Sequence, residues 1–334
     1  VNRLERAVRA VDRAQQGNRV LGFVFGVNKK YGDDRGGQLA ALLAYYGFLS
    51  LFPLLLLLVT VLGIVAGGSS SIAKHIESSA LAQFPVIGSG SSHSLDSTIH
   101  ALHRNSAIGL VVGILGLLWG SQGVSQTGQF AMAEVWNVPG VNRPNFWARL
   151  ARTGVLMGVL GLFLVLSSAL AAVGTWGHHS ALLRIGGIAG SLVVNGALYL
   201  MAFRVLTPKE IGSRSLVPGA LAGAVAWTAL QNVGTALVEH QLRNTSQVYG
   251  TFAVVLGLIA WIYLGANLTV FAAEANVVWA RHLWPRSLVQ PPLTEADERV
   301  LAAIVEQGRR RPEQTVRVGF EDRAAPDPGR SGPG

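Results

Sequence analysis

Gln122, Gln126 and Gln129 recur at i, i+4 and i+7 within a long apolar stretch, so a helix there would carry three amides on one face. Ser121 and Ser125 lie beside them, and Glu134 follows. Tyr263, Asn267 and Glu274 share a face of another apolar stretch, at i, i+4 and i+11. Asn195 interrupts a third such stretch, and Gln231 and Asn232 a fourth. Polar groups at membrane depth are costly and turn inward, toward one another or a water-filled cavity. Interhelical hydrogen bonding is one use for them, but each such bond averages only about 0.6 kcal/mol. A polar cavity open to one side is the other use, and it would collect the whole set. Glu134 and Glu274 also admit ion pairs with Arg149, Arg152 or Arg204.

His93, Asp96, His100 and His103 have offsets of 0, 3, 7 and 10, one face if the segment is helical. Such ligands could hold zinc or sense acid. Leu95, Ile99 and Leu102 fill another face, so a surface helix with a polar side accounts for the same pattern. No metal or other cofactor is expected. Cys is absent, which removes disulfides, thiolate metal sites and a cysteine nucleophile. HExxH, GxSxG and Walker-type patterns are also missing, so an enzyme is not expected.

The elements that position these residues follow from composition. Half the chain is hydrophobic and 13% is charged, against about 25% in soluble domains. The reading is all-α: a polytopic integral membrane protein with spans at about 40–66, 107–132, 153–174, 185–206, 216–238 and 249–279. The short connections at 207–215 and 239–248 favour antiparallel neighbours. Of the 27 Lys and Arg residues, 23 fall on one side of this six-span arrangement and 4 on the other. That asymmetry places both termini in the cytoplasm. It also accounts for the net charge of +9, so no nucleic-acid partner is expected.

Residues 1–36 read as a basic amphipathic juxtamembrane segment resting on anionic lipid. Leu4, Val8 and Val11 lie at helical spacing among arginines, and the apolar run 20–27 precedes Lys29 and Lys30. They lack the pattern of a cleavable signal peptide. Residues 37–284 form the transmembrane domain, and 285–334 a cytoplasmic tail. In that tail Thr294 and Asp297 resemble a capping box opening a short helix that stops near Gly308, with a disordered end beyond. Pro53 should kink the first span. Glycine stripes at 109, 113, 116 and 120, at 154, 158 and 161, and at 219 and 223 read as close helix contacts. A homo-oligomer is compatible with these surfaces.

Several stretches resemble the YihY/virulence factor BrkB family of bacterial inner-membrane proteins, including its YhjD-like branch. They are LAYYGFLSLFPLLLLLV at 43–59, AEVWNV at 133–138, RPNFWARL at 143–150, and FRVLTPKEI at 203–211 leading into LVPGALAGAVAW at 216–227. The last is YGTFAVVLGLIAWIYLGANLTVFAAEAN at 249–276. Tyr45, Tyr46, Ser50 and Pro53 belong to the first. The resemblance implies a six-helix, multi-pass inner-membrane protein with no agreed catalytic motif. It also implies an old ribonuclease BN label and a connection with lipid-linked envelope material. The expected function is therefore a transporter or flippase-like protein for an amphipathic or lipid-linked envelope component. The alternative is a membrane scaffold or regulator acting through its tails. A groove lined by Gln122, Gln126, Asn267 and Glu274 would favour the first, and a dry, packed bundle the second.

Overall fold

The computed structural model describes residues 3–65, 106–174, 181–290 and 292–320, with some side chains inside the helices left out. The group at His93, Asp96, His100 and His103 lies outside the described residues. Among the described residues the chain is helical, without strands. The helices are α1 (Arg3–Gly17), α2 (Arg19–Asp33), α3 (Gly36–Val65), α4 (Ser106–Val135), α5 (Phe146–Gly174), α6 (Ala181–Leu206), α7 (Val217–Arg281) and α8 (Glu295–Gln307).

Local chemistry sets several boundaries. The Asn18 side chain accepts from Val20 N at 2.9 Å and Leu21 N at 3.3 Å, capping α2 where α1 ends. Thr294 and Asp297 form the capping box that opens α8, and Gly308 closes it. Helix α3 continues through Pro53.

Helical structure runs unbroken through the connection expected at 239–248, but α7 is not a rod. A straight helix would separate residues 219 and 276 by about 86 Å. Instead Gly219 N donates to the Asn276 side chain at 2.6 Å. Gly223 lies against Ala272, Gly265 against Trp227 and Gly234 against Trp261. The paired positions fall as their partners rise, so α7 doubles back into two antiparallel arms. The reversal lies between residues 234 and 261. Helices α3 and α4 are also antiparallel, with Gly120 on Ser50 and Gly123 under the Tyr46 ring.

Large apolar side chains are exposed along the helix bodies, including Leu115 and Trp119 on α4, Val155 and Leu160 on α5, and Val193 on α6. In water such a surface would be a liability; against acyl chains it costs nothing. Among the described residues, Ala189–Leu206 and Val255–Arg281 have the length and apolarity to cross a bilayer. The buried core sits at one end, where α3 and α7 begin and α4, α6 and α7 finish. Leu39, Met132, Val135, Phe203, Leu216, Val270, Val277 and, from α8, Val300 meet there.

The glycine stripes divide in two. A Cβ on Gly219 or Gly223 would strike α7's second arm or Tyr199, and one on Gly120 would lie 2.9 Å from the Ser50 backbone, so close contact is correct there. Among the described residues, Gly154, Gly158 and Gly161 meet nothing within 4 Å, so the expected close contact is not found there on α5. The spacing alone could not tell a packed stripe from an open one.

Candidate functional site

The last turn of α2 carries two Lys–Asp pairs at i, i+4, and each serves a different neighbour. Lys29 and Asp33 face the C-terminal segment. Lys29 Nζ donates to Ser287 O at 2.6 Å and to Asp297 Oδ1 at 2.8 Å. Arg286 is buried between α2 and α8, giving Nη2 to Asp33 at 2.8 Å and Nε to Asp297 at 2.5 Å. Asp297 also accepts from Ser287 N, Ser287 Oγ, Thr294 N and Thr294 Oγ1, at 2.8 to 3.1 Å. Burial alone would raise its carboxyl. The bonds from Lys29, Arg286, Ser287 and Thr294 outweigh that and hold it well below the usual carboxylate range. The same clasp reaches α1: Gln15 Nε2 donates to Arg286 O at 2.5 Å, and Leu288 N donates to Asp12 at 3.0 Å.

The second pair, Lys30 and Asp34, points into the core. Lys30 is fully buried and bonded to Asp34. Its Nζ donates to Val135 O at 3.1 Å and lies 3.7 Å from Glu274 Oε2. Glu274 is fully buried too. Burial pushes the Asp34 carboxyl up despite the neighbouring Lys30 ammonium. The adjoining Tyr31 donates to Asn267 Oδ1 and stacks on Phe271, with ring centroids 3.9 Å apart.

The turn after α4, which holds AEVWNV, ties these parts together. Glu134 pairs with Arg143 at 2.7 Å and accepts from Gln307 of α8 at 2.5 Å. Asn137 takes a left-handed backbone with φ of 47°. Its amide donates to Asp34 at 3.3 Å and to Gln307 at 3.1 Å. Arg281 donates to Trp136 O at 2.9 Å and lies over the Trp136 ring. Asn137→Gly removes the left-handed penalty of about 1–2 kcal/mol together with those bonds, whereas Asn137→Ala keeps the penalty and loses the bonds. Thermal unfolding in detergent should therefore rank wild type above Asn137→Gly, and Asn137→Gly above Asn137→Ala.

The ion-pair expectation needs correction. Glu134 pairs with Arg143 and Glu274 with Lys30, not with Arg149, Arg152 or Arg204. Arg204 instead donates to Ile211 O at 2.9 Å. Lys30 came from the flank assigned to lipid, and a Lys fully enclosed by helices cannot reach a headgroup. The signal in the sequence was KKYGDD at 29–34, two Lys–Asp pairs one residue apart.

The intramembrane polar residues fall into separate local groups. Gln129 is buried, with its amide 3.3 Å from Ser125 Oγ and from Arg149 O. Gln122 and Gln126 are half-buried on the same helix. Asn195 donates to Thr228 at 3.1 Å, and Asn267 to Tyr263 O at 2.8 Å. Gln231 is half-buried on α7, and the side chains of Asn232 and Pro53 lie outside those described. Ser50 donates to Gly47 O at 2.8 Å, while Tyr45 is exposed and meets Tyr46 edge-on at 5.2 Å.

An open groove of about 670 Å³ lies between α1–α2 and both arms of α7. Val11, Phe23, Val24, Val27, Ala222, Ala226, Leu268 and Phe271 line it, with Gln15 and Asn28 among its few polar residues. Gln122, Gln126, Asn267 and Glu274 do not line it.

A helical chain with lipid-suited outer faces and a charged, buried end belongs to the class of helical membrane proteins. The family model described as virulence factor BrkB matches residues 27–293, and the chain belongs to that family. The inner membrane protein YhjD of Escherichia coli strain K12 is 21% identical over 273 residues, covering 76% of this chain and 80% of that protein. The ribonuclease-like protein YfkH of Bacillus subtilis strain 168 is 24% identical over 278 residues, covering 77% of this chain and 95% of that protein. A UPF0761 membrane protein of Stenotrophomonas maltophilia strain R551-3 is 28% identical over 269 residues, covering 76% of this chain and 60% of that protein. No solved structure matches the chain.

Proposed function

We propose that this chain is a bacterial inner-membrane transporter of the flippase kind, with six spans and both termini in the cytoplasm. Its cargo is an amphipathic or lipid-linked envelope component, moved without covalent chemistry. The observation that carries this reading is the apolar groove between α1–α2 and the α7 hairpin. An acyl chain suits such a lining, and the exposed Arg13 and Arg19 nearby suit an anionic headgroup. The exposed apolar face of α2, with Val20, Leu21 and Val24, suits a helix embedded in the interface.

The test is reconstitution into vesicles holding a trace of a fluorescent anionic phospholipid, followed by quenching from outside. Wild-type protein should expose the inner-leaflet probe faster than protein-free vesicles do. Ala222→Trp and Ala226→Trp fill the groove from α7 without touching the clasp and should remove most of that rate. Wild-type vesicles indistinguishable from empty ones would overturn the proposal. A scaffold acting through the tails is the second reading, favoured by Leu301 and Val305 exposed on α8. It takes over if the vesicles are inert.

A further inference from the structure

We propose that Lys30, Asp34 and Glu274 form a proton-binding site in which the two carboxyl groups share one proton beside a charged lysine. The site joins the end of α2 to the second arm of α7. Lys30 and Glu274 are fully buried, and the Asp34 side chain is 3% exposed. One ammonium therefore faces two carboxyl groups in a space closed to water. With both carboxylates ionised, the cluster would hold an uncompensated buried negative charge. A single proton brings it to neutrality.

The hydrogen bonds say where that proton goes. Among the described residues no N–H or hydroxyl donates to either Glu274 oxygen, and its contact with Lys30 is a 3.7 Å ion pair. Two of the three Lys30 N–H groups go to Asp34 and to Val135 O, and the third faces Glu274 only at ion-pair distance. Asp34 Oδ1 accepts from Asn137. The Asp34 and Glu274 carboxyl groups lie within hydrogen-bond reach of each other, and two carboxyl groups can bond only if one is protonated. Burial also raises Asp34, as a shared proton requires.

Among the described residues, the other charged groups around the site have partners of their own. On α2, Asp33 adds negative charge but is turned toward Arg286. Tyr31 is neutral, its hydroxyl pushed up by burial and by Tyr263 and Glu274. Arg281 of α7 acts on both Asp34 and Glu306, so its charge is divided between them, and it donates to Trp136 O. Glu134 of the α4 turn is neutralised by Arg143.

The test is infrared spectroscopy of the full chain in lipid, in H₂O and D₂O. At neutral pH the wild type should show a protonated-carboxyl stretching band that shifts in D₂O. Asp34→Asn and Glu274→Gln should each abolish it, because either one leaves Lys30 opposite a single carboxylate. Loss in both variants is the signature of a shared proton. Absence of the band in wild-type protein overturns the site, and this reading does not depend on any variant folding. Loss in only one variant, or persistence in both, overturns the sharing. None of these outcomes depends on whether the chain moves lipid.

Discussion

Asp297→Ala should release the N-terminal helices and α8 from the end of the bundle. Asp297 is fully buried and accepts from Lys29, Arg286, Ser287 and Thr294. Removing it leaves the buried Arg286 with Asp33 alone and strips from α8 the reciprocal half of its capping box, the bond from Thr294 N, while Asp297 N keeps Thr294 Oγ1. Breaking a buried ion pair by deleting one partner costs about 3–5 kcal/mol, and losing the capping-box hydrogen bond adds about 1. Amide exchange in α1, α2 and α8 should therefore accelerate roughly a hundredfold or more, while the hairpin of α7 stays protected. Exchange unchanged in those three helices would show that the clasp contributes no stability.

The same carboxylate sets an acid limit. Its folded-state pKa lies below its unfolded value of about 3.9. The opened state then binds the proton more tightly, so the contribution is complete above the unfolded value. It falls as pH drops toward the folded one. Asp297→Asn, which keeps the shape and loses the charge, should be less stable at neutral pH and should lack that acid-dependent loss.

Gly219→Leu should prevent the two arms of α7 from closing. A Cβ at Gly219 points into the Ala272 carbonyl and the Asn276 amide, and a backbone oxygen cannot rotate away. Overpacking a well-filled contact costs about 1–3 kcal/mol, and a collision with main chain belongs at or above the upper end. The hydrogen bond from Gly219 N to the buried Asn276 side chain would be lost as well. The expected result is a sharp fall in monodisperse protein after detergent extraction. Gly158→Ala is the control, because its Cβ meets open space and should change stability by no more than about 0.5 kcal/mol. Equal yields for the two variants would contradict the hairpin.

Much of this was legible in the residues. The capping box at Thr294 and Asp297 and the helical, membrane-suited character are local properties, carried by short spacings and apolar runs. The family resemblance was legible in motifs, and the match over residues 27–293 bears it out. Partner choice was not legible. Glu274 and Lys30 are 244 positions apart, and nothing in either neighbourhood selects one cation over another. The glycine stripes show the same limit, since Gly219 and Gly158 look alike in sequence and differ only in what stands opposite.

Sequence by itself determined the helical, membrane class, because lipid demands long apolar helices that satisfy their own backbone groups. Only tertiary structure decided that two tails at opposite ends of the chain form one clasp, and that Lys30 is enclosed rather than lipid-facing. Burial depends on what packs against a side chain, and in this fold Val135 and Glu274, which help enclose Lys30, lie more than a hundred residues away.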